Sequence, residues 1–452
     1  VCVDSGESFE TSLSGPYVNI VDGCGGIAVS GDCTGGADLG MKQGENCDSG
    51  DGITSAARTS YYHINRAAEL ARFYDPGNTW LESPLTVAVN SSAGTCNAFW
   101  TGTQITMYHG GGGCSNTGEG RGVLIHEWGH GYDHNDGGGV DLPGEGYSDV
   151  VAIFGNRDSC MSRGWYNDGR TCGGYGDTCL TCTGIRELDW AKRQNNTPIT
   201  APGFVMNNCP GGGQGWSPCG QEPHCEGMLV GEILYDLATR DLPAAGLDQA
   251  SAWQLAERLW YETRPGSGGV AYSCLRGNAN SCGSTTWFQK MRVADDDDGD
   301  LTNGTPHAAA LFAAFDRHAL ACGSAGNAEH QSTGSCPALA APSLTVVEGG
   351  AGSELTWSAV SGAAEYRVYR GELGCDRQQI PIAVVTGTTY TDTTADQDLP
   401  RFYRVEPFAS NPACSGPVSN CEATPPGGRL QYLSHRFVED GSDDNNIPDP
   451  GE

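Results

Sequence analysis

The chain has 452 residues, with 55 acidic against 25 basic side chains and a formal net charge of −30 at pH 7. That balance argues against nucleic acid or an anionic membrane surface as a partner, because both would repel it. No stretch approaches the roughly 20 apolar residues of a membrane span. No basic-then-apolar start resembles a signal peptide, so Val1 reads as the start of a processed chain.

The length calls for two or three domains. Twenty cysteines, spread over almost the whole chain, point to about ten disulfides and an oxidising, extracellular compartment. Cys179-Leu180-Thr181-Cys182 has C-x-x-C spacing, but no second pair follows at zinc-ribbon distance, so disulfides explain it better. The 67 glycines fall largely in loops, as in a loop-rich protein held by cross-links.

In chain order, residues 1–50 read as short strands broken by Gly and Asp turns, Tyr17–Val21 being the clearest. Ile64, Ala67, Ala68 and Ala71 follow a helical stripe within 54–74. Leu85–Val89 is a strand, and Asn97–Trp100 with Gln104–Tyr108 forms an edge pair across the turn Thr101-Gly102-Thr103. Phe99 reads as an ordinary buried aromatic of that edge. Helices follow around His126 and from Gly144 through Ile153; residues 155–222 are Cys-, Gly- and Asn-rich without long apolar period. Helices return at Glu226–Thr239 and Gln249–Tyr261, and a last one follows Thr305-Pro306, read as N-cap and first helical residue. A β and mixed first half followed by a helical second half predicts an α+β, two-lobed enzyme with its site in the cleft. After Cys336, short alternating segments around Trp357, Tyr366, Tyr390 and Tyr403 predict an all-β sandwich. The expected organisation is a catalytic region over 1–335, a sandwich over 337–423, and 424–452 as a linker opening a further β-domain, with native chain continuing past Glu452.

The chemistry centres on His126-Glu127-Trp128-Gly129-His130. Two histidines four apart on a helix point the same way and can share one Zn2+, and the glutamate after the first can take a proton from the metal's water. Gly129 and Gly131 leave room beside the metal. A plain surface helix with two unrelated histidines is the alternative. A third ligand is needed, and two candidates compete. Glu145 begins a helix, with Asp149 one turn on to orient a ligand histidine through its second nitrogen. Asp136 lies ten residues after His126, where metzincins place a third ligand, but Asp133 replaces the glycine their turn requires. Glu145 is the better candidate because its partner is built in. His134 reads as a surface residue.

Asp295–Asp300 is the densest acidic run. It is no EF-hand, yet four adjacent carboxylates repel one another, so Asp295, Asp296, Asp298 and Asp300 are candidate Ca2+ ligands. Asp443–Asp449 is a weaker candidate of the same kind.

With these residues placed, the chain resembles the gluzincin metallopeptidases, the thermolysin and fungalysin families, in scattered blocks over residues 54–325. H-E-W-G-H is similar to their zinc helix, and Gly144-Glu145-Gly146-Tyr147-Ser148-Asp149 to their glutamate-ligand helix. Asn97-Ala98-Phe99-Trp100 looks like the strand along their cleft, which implies substrate binding by Asn97, Ala98 and Trp100 as an added strand. Pro223-His224-Cys225-Glu226-Gly227 looks like the segment that supplies their transition-state histidine, which implies that role for His224. The His130-to-Glu145 gap is shorter than usual in either family, and residues 155–222 have no counterpart. The sandwich resembles a fibronectin type III module. The resemblance implies a secreted zinc endopeptidase acting on extracellular proteins or peptides, its module open to extracellular proteins or glycans. The rival reading is a non-catalytic extracellular structural or adhesive protein on the same fold; the presence of Glu127 argues against it.

Overall fold

A computed structural model of the chain describes residues 8–424 apart from 28, 33–46, 48–51, 139–141, 214, 265–269, 273, 275–281, 350, 351 and 395–399. The acidic tail Asp443–Asp449 and the expected further β-domain lie outside the described residues.

The first half is built on a four-stranded sheet. A small antiparallel pair, β1 (Ser8–Thr11) with β3 (Val29–Asp32), stands apart from it. The sheet runs β2-β4-β6-β5, with β2 (Val18–Asp22), β4 (Leu85–Ser91) and β6 (Gln104–Tyr108) parallel and β5 (Ala98–Trp100) antiparallel at the edge. Parallel neighbours need a crossover, and α1 (Ser55–Tyr74) supplies the one between β2 and β4. Thr54 caps that helix by accepting from Ala57 N at 3.2 Å, and its buried stripe of Ala56, Ile64, Ala67, Ala68 and Ala71 packs onto the shared core. Phe99 differs from expectation. It is 37 % exposed, because the alternation of β5 turns Ala98 into the core and Phe99 outward against Tyr108.

The second half is helical. It comprises α2 (Arg121–Asn135), α3 (Gly144–Asn156), the short α4 (Met206–Asn208), α5 (Pro223–Asp236), the short α6 (Leu242–Ala244), α7 (Gln249–Glu262), α8 (Trp287–Ala294) and α9 (Ala308–Arg317). Its centre is aromatic: Trp128, Tyr132, Tyr147, Trp260 and Trp287 are all fully buried and pack through edge-to-face and stacked contacts. Helix α8 escapes the sequence pattern because eight residues hold too few turns for a periodic signal. Helix α9 starts later than expected, with His307 rather than Thr305 at its N-cap.

Between α3 and α5 the Cys-rich stretch forms one short ladder, β7 (Cys160–Met161) with β8 (Arg186–Glu187). Cys172–Cys179 is nested inside Cys160–Cys182, so both C-x-x-C cysteines are in disulfides. Nine disulfides join the described cysteines and leave none of those free.

The last region is a two-sheet sandwich. Strands β9 (Leu344–Gly349), β10 (Gly352–Trp357) and β13 (Thr389–Asp392) form one sheet; β11 (Glu365–Gly371), β12 (Ile380–Val385), β14 (Phe402–Phe408) and β15 (Glu422–Ala423) form the other. Leu344, Leu355, Trp357, Tyr366, Val368, Tyr403 and Val405 fill the space between them. The architecture is α+β followed by an all-β sandwich.

Candidate metal centre and active site

Helix α2 carries the two histidines. One turn apart, their rings meet edge to face with centroids at 4.7 Å. Glu145, in the first turn of α3, reaches both: its Oε2 lies 3.1 Å from His126 Nε2 and its Oε1 3.5 Å from His130 Nε2. These three donors lie within 4.8 Å of one another. Two imidazole nitrogens and one carboxylate are the protein donors that catalytic zinc sites use, with a further position left for water.

The surroundings fit a cation. His126 Nδ1 faces Asp149 Oδ1 at 2.9 Å, which leaves Nε2 to point inward as a ligand. Asp149 is fully buried and accepts from Arg186 through Nε at 2.8 Å and Nη2 at 2.5 Å. Burial opposes ionisation of Asp149, but Arg186 and His126 hold its carboxyl below the usual range. Burial pulls the His126 imidazole down, while Asp149 and Glu145 push it up, to about 10. Burial likewise opposes a charge on Glu145, yet His130 and His126 hold it well below the ordinary carboxylate range. A divalent ion held by His126, His130 and Glu145 would take the place of the proton that Asp149 and Glu145 favour on His126.

Glu127 is 5 % exposed. Burial raises its carboxyl above the ordinary range against the pull of His126 and His130, and the backbone N–H of Trp100 in β5 donates to it. A raised carboxyl is the direction a general base needs.

His224 arrives from α5. Glu222 caps that helix, accepting from Cys225 N at 2.9 Å, and holds His224 Nδ1 at 2.5 Å. His224 Nε2 then lies 3.3 Å from Glu145 Oε1. Burial works against a charge on Glu222, but His224 and the Cys225 N–H hold its carboxyl down at about 2.

Two close helix crossings bring these groups together. A Cβ on Gly129 would sit 2.9 Å from Ser148 Cα, and one on Gly227 only 2.6 Å from Gly146 N. Gly129 therefore lets α3 close on α2, and the Gly146–Gly227 contact seats α5 on α3. Gly131 makes room for the Trp80 and Trp100 rings. The space these glycines leave is taken by neighbouring protein, which corrects the expectation that they open room beside a metal.

Asp136 lies elsewhere. It is buried and bound to Arg264 at 3.2 Å, with Asp133 on the same guanidinium; His134 is exposed. Asn97 is exposed, Ala98 buried and Trp100 half-buried on an edge strand with no neighbouring strand on its outer side among the described residues, where the Trp100 backbone N–H meets Glu127. Arg186 is the residue that sequence reasoning missed. It comes from β8 in the unmatched Cys-rich stretch, 37 residues from Asp149, and no spacing announces it.

The acidic run is organised by hydrogen bonds. Asp295 is buried and accepts from Thr305 Oγ1 at 2.5 Å and His307 N at 2.7 Å, tying down the start of α9. Asp298 accepts from Asp300 N at 2.9 Å and Asn303 Nδ2 at 2.7 Å, and Asp300 caps the turn at Leu301–Asn303. Asp296 accepts from Asp298 N at 3.3 Å and approaches Asp297 and Asp298. N–H and O–H donors thus meet Asp295, Asp298 and Asp300, with Asp295 and Asp300 serving as capping groups, while carboxylate oxygens of Asp296, Asp297 and Asp298 lie within 4.8 Å of one another.

No family model matches the chain, and no curated protein matches it. Among solved structures, the precursor of protealysin, a metalloproteinase from Serratia proteamaculans, is 18 % identical, with 68 % of this chain and 89 % of that chain covered, at a TM-score of 0.45. An Fn3-like protein from Clostridium thermocellum is 27 % identical over 22 % of this chain and all of its own, at a TM-score of 0.19. Pectate lyase PelI from Erwinia chrysanthemi is 26 % identical, at a TM-score of 0.17 over 19 % of this chain; the chain spans only 28 % of that protein. None superposes closely enough to argue from, so the chemistry rests on the residues themselves.

Proposed function

We propose that the protein is an exported zinc-dependent endopeptidase, with residues 1–335 as its catalytic region and 337–423 as a fibronectin type III-like module. The observation that carries this reading is the convergence of His126 Nε2, His130 Nε2 and the Glu145 carboxylate, with Glu127 and His224 beside them. Zinc held there would supply a water with its pKa lowered to about 7 and would polarise the substrate carbonyl. Glu127 accepts the proton of the attacking water on its carboxylate and hands it to the leaving amine. His224, oriented by Glu222, donates from Nε2 to the carbonyl oxygen as charge develops on it. The free edge of β5 pairs with an extended substrate, with Asn97, Ala98 and Trp100 along it. Asp149 and Arg186 hold His126 in register. Nine disulfides among the described residues support an extracellular setting.

The test is metal content together with casein digestion by the full chain, with and without chelator. One zinc per chain and digestion restored by zinc are expected. Undiminished digestion after chelation would sink the reading.

A further inference from the structure

The Cys-rich stretch between α3 and α5 sends a tyrosine to the candidate site. Tyr175 is half-buried, packs against the main core and donates from its hydroxyl to the Glu222 carboxylate. Glu222 is the group that holds His224 Nδ1 at 2.5 Å. Burial pushes the Tyr175 hydroxyl above its ordinary range, against the pull of Arg186, so it keeps its proton to donate.

The backbone beneath it is strained. Gly174, Tyr175 and Gly176 have φ of 55°, 53° and 93°, three residues in succession on the left-handed side. Glycine goes there freely, but a tyrosine does so only at a cost. The turn is closed by Gly176 N donating to Gly173 O at 3.3 Å and Asp177 N to Gly174 O at 3.1 Å. Its two ends are fixed. Cys172 and Cys179 are joined by a disulfide nested within Cys160–Cys182, and Cys179 N donates to Cys172 O at 3.0 Å. Asp177 is 1 % exposed, pairs with Arg193 at 3.2 Å and accepts from Asn195 N at 2.7 Å. Strain that the surroundings hold in place is typical of functional segments, and here the strained residue reaches Glu222.

We propose that Tyr175 is a positioning residue for His224, acting through Glu222, and that the Cys172–Cys179 loop presents it. This role rests on the reading of His224 as the donor to the substrate carbonyl. The Glu222 carboxylate is held by Tyr175 and by the Cys225 N–H at 2.9 Å, which keeps it from swinging away from the imidazole. His224 is then fixed before substrate arrives, and less orientational freedom is lost on the way to the transition state. Tyr175 itself touches neither substrate nor metal.

Kinetics and histidine-ring NMR on the zinc-loaded full chain test this. Tyr175→Phe should lower kcat about tenfold, with KM within about twofold and zinc retained. Gly176→Ala should do the same: its Cβ would meet only Asn208 Nδ2 at 3.7 Å, but a φ of 93° no longer suits it, so the turn moves the hydroxyl. Gly173→Ala, at φ −77° in the same turn, should change nothing. In a His224→Ala background, Tyr175→Phe should cost less than about twofold more, because the residue it acts on is gone. A full tenfold loss in that background would mean that Tyr175 acts on substrate or metal directly, and overturns the proposal, as does an unchanged kcat in Tyr175→Phe. The His224 ring signal, assigned by its loss in His224→Ala, is read without any hydrolysis. It should shift and broaden in Tyr175→Phe while the other histidine signals stay in place. If the parent chain cleaves no peptide, the peptidase reading fails and this signal alone decides the positioning role; an unmoved His224 signal overturns it.

Discussion

Single residues carry the proposed chemistry, and each has a distinct expected failure. Glu127→Gln keeps the size of the side chain but removes the proton acceptor, so kcat should fall by about 10²–10⁴-fold with zinc retained. A variant as active as the parent, checked by peptide cleavage and metal analysis, would remove Glu127 from the reaction. Glu145→Ala should abolish stoichiometric zinc. Asp136→Ala should keep it, while costing about 1–3 kcal/mol of stability because Arg264 loses one of its two buried carboxylates. The opposite pattern in metal content would exchange the two roles. Asp149→Asn leaves a neutral group against His126 and Arg186, and zinc affinity should drop about 10–100-fold, read by competition with a chromogenic chelator. The H-E-x-x-H pair and Glu145 with Asp149 were legible beforehand because each is a local spacing on one helix face. Arg186 was not, because a buried ion pair spanning 37 residues leaves no periodic trace.

At the scale of elements, helix spacing sets the site. Glu145 and His224 meet only because α3 and α5 touch backbone to backbone at Gly146 and Gly227. Gly227→Ala would put a Cβ 2.6 Å from Gly146 N and force the helices apart, at a cost of about 1–3 kcal/mol. Turnover should fall while zinc stays bound, because the proposed metal ligands lie on α2 and α3 and His224 rides on α5. Gly173→Ala, where a Cβ meets nothing within 4 Å and φ is −77°, is the matching control. Equal effects of the two on turnover would mean that the crossing does not place His224. The length and phase of α1, α3, α5 and α7 follow from apolar stripes and caps, whereas their approach distance depends on which glycine faces which. That pairing is invisible along the chain.

At the scale of the whole molecule, the sandwich is packed onto the helical half rather than tethered to it. Arg258 on α7 donates to Pro412 O at 2.7 Å, Val418 N donates to Ser251 Oγ at 3.0 Å, and Arg367 of β11 lies over Phe73 at 5.0 Å and Tyr74 at 5.7 Å. Arg258 is 1 % exposed, with Pro412, Ser415 and Phe408 of the sandwich against it, so its burial depends on the two parts staying packed together. Calorimetry of the oxidised full chain should therefore give one cooperative transition. Two well-separated transitions would show that the sandwich unfolds independently of the helical half.

By itself, the sequence determined most element types, the helix that sets His126 beside His130, the approach of Glu145 rather than Asp136 to them, the cross-linked character of the chain and the β-sandwich after Cys336. All of these are short-range properties: periodicity, spacing, composition and turn chemistry. Only the tertiary structure decided that Arg186 braces Asp149, that Gly129 and Gly227 serve helix contacts, that Asp295 caps α9, and that Phe99 faces outward. It also decided that Tyr175 meets Glu222. Each of these depends on which distant segments share a boundary. That is settled by packing the whole core at once, under loop closures and disulfides that no local window contains.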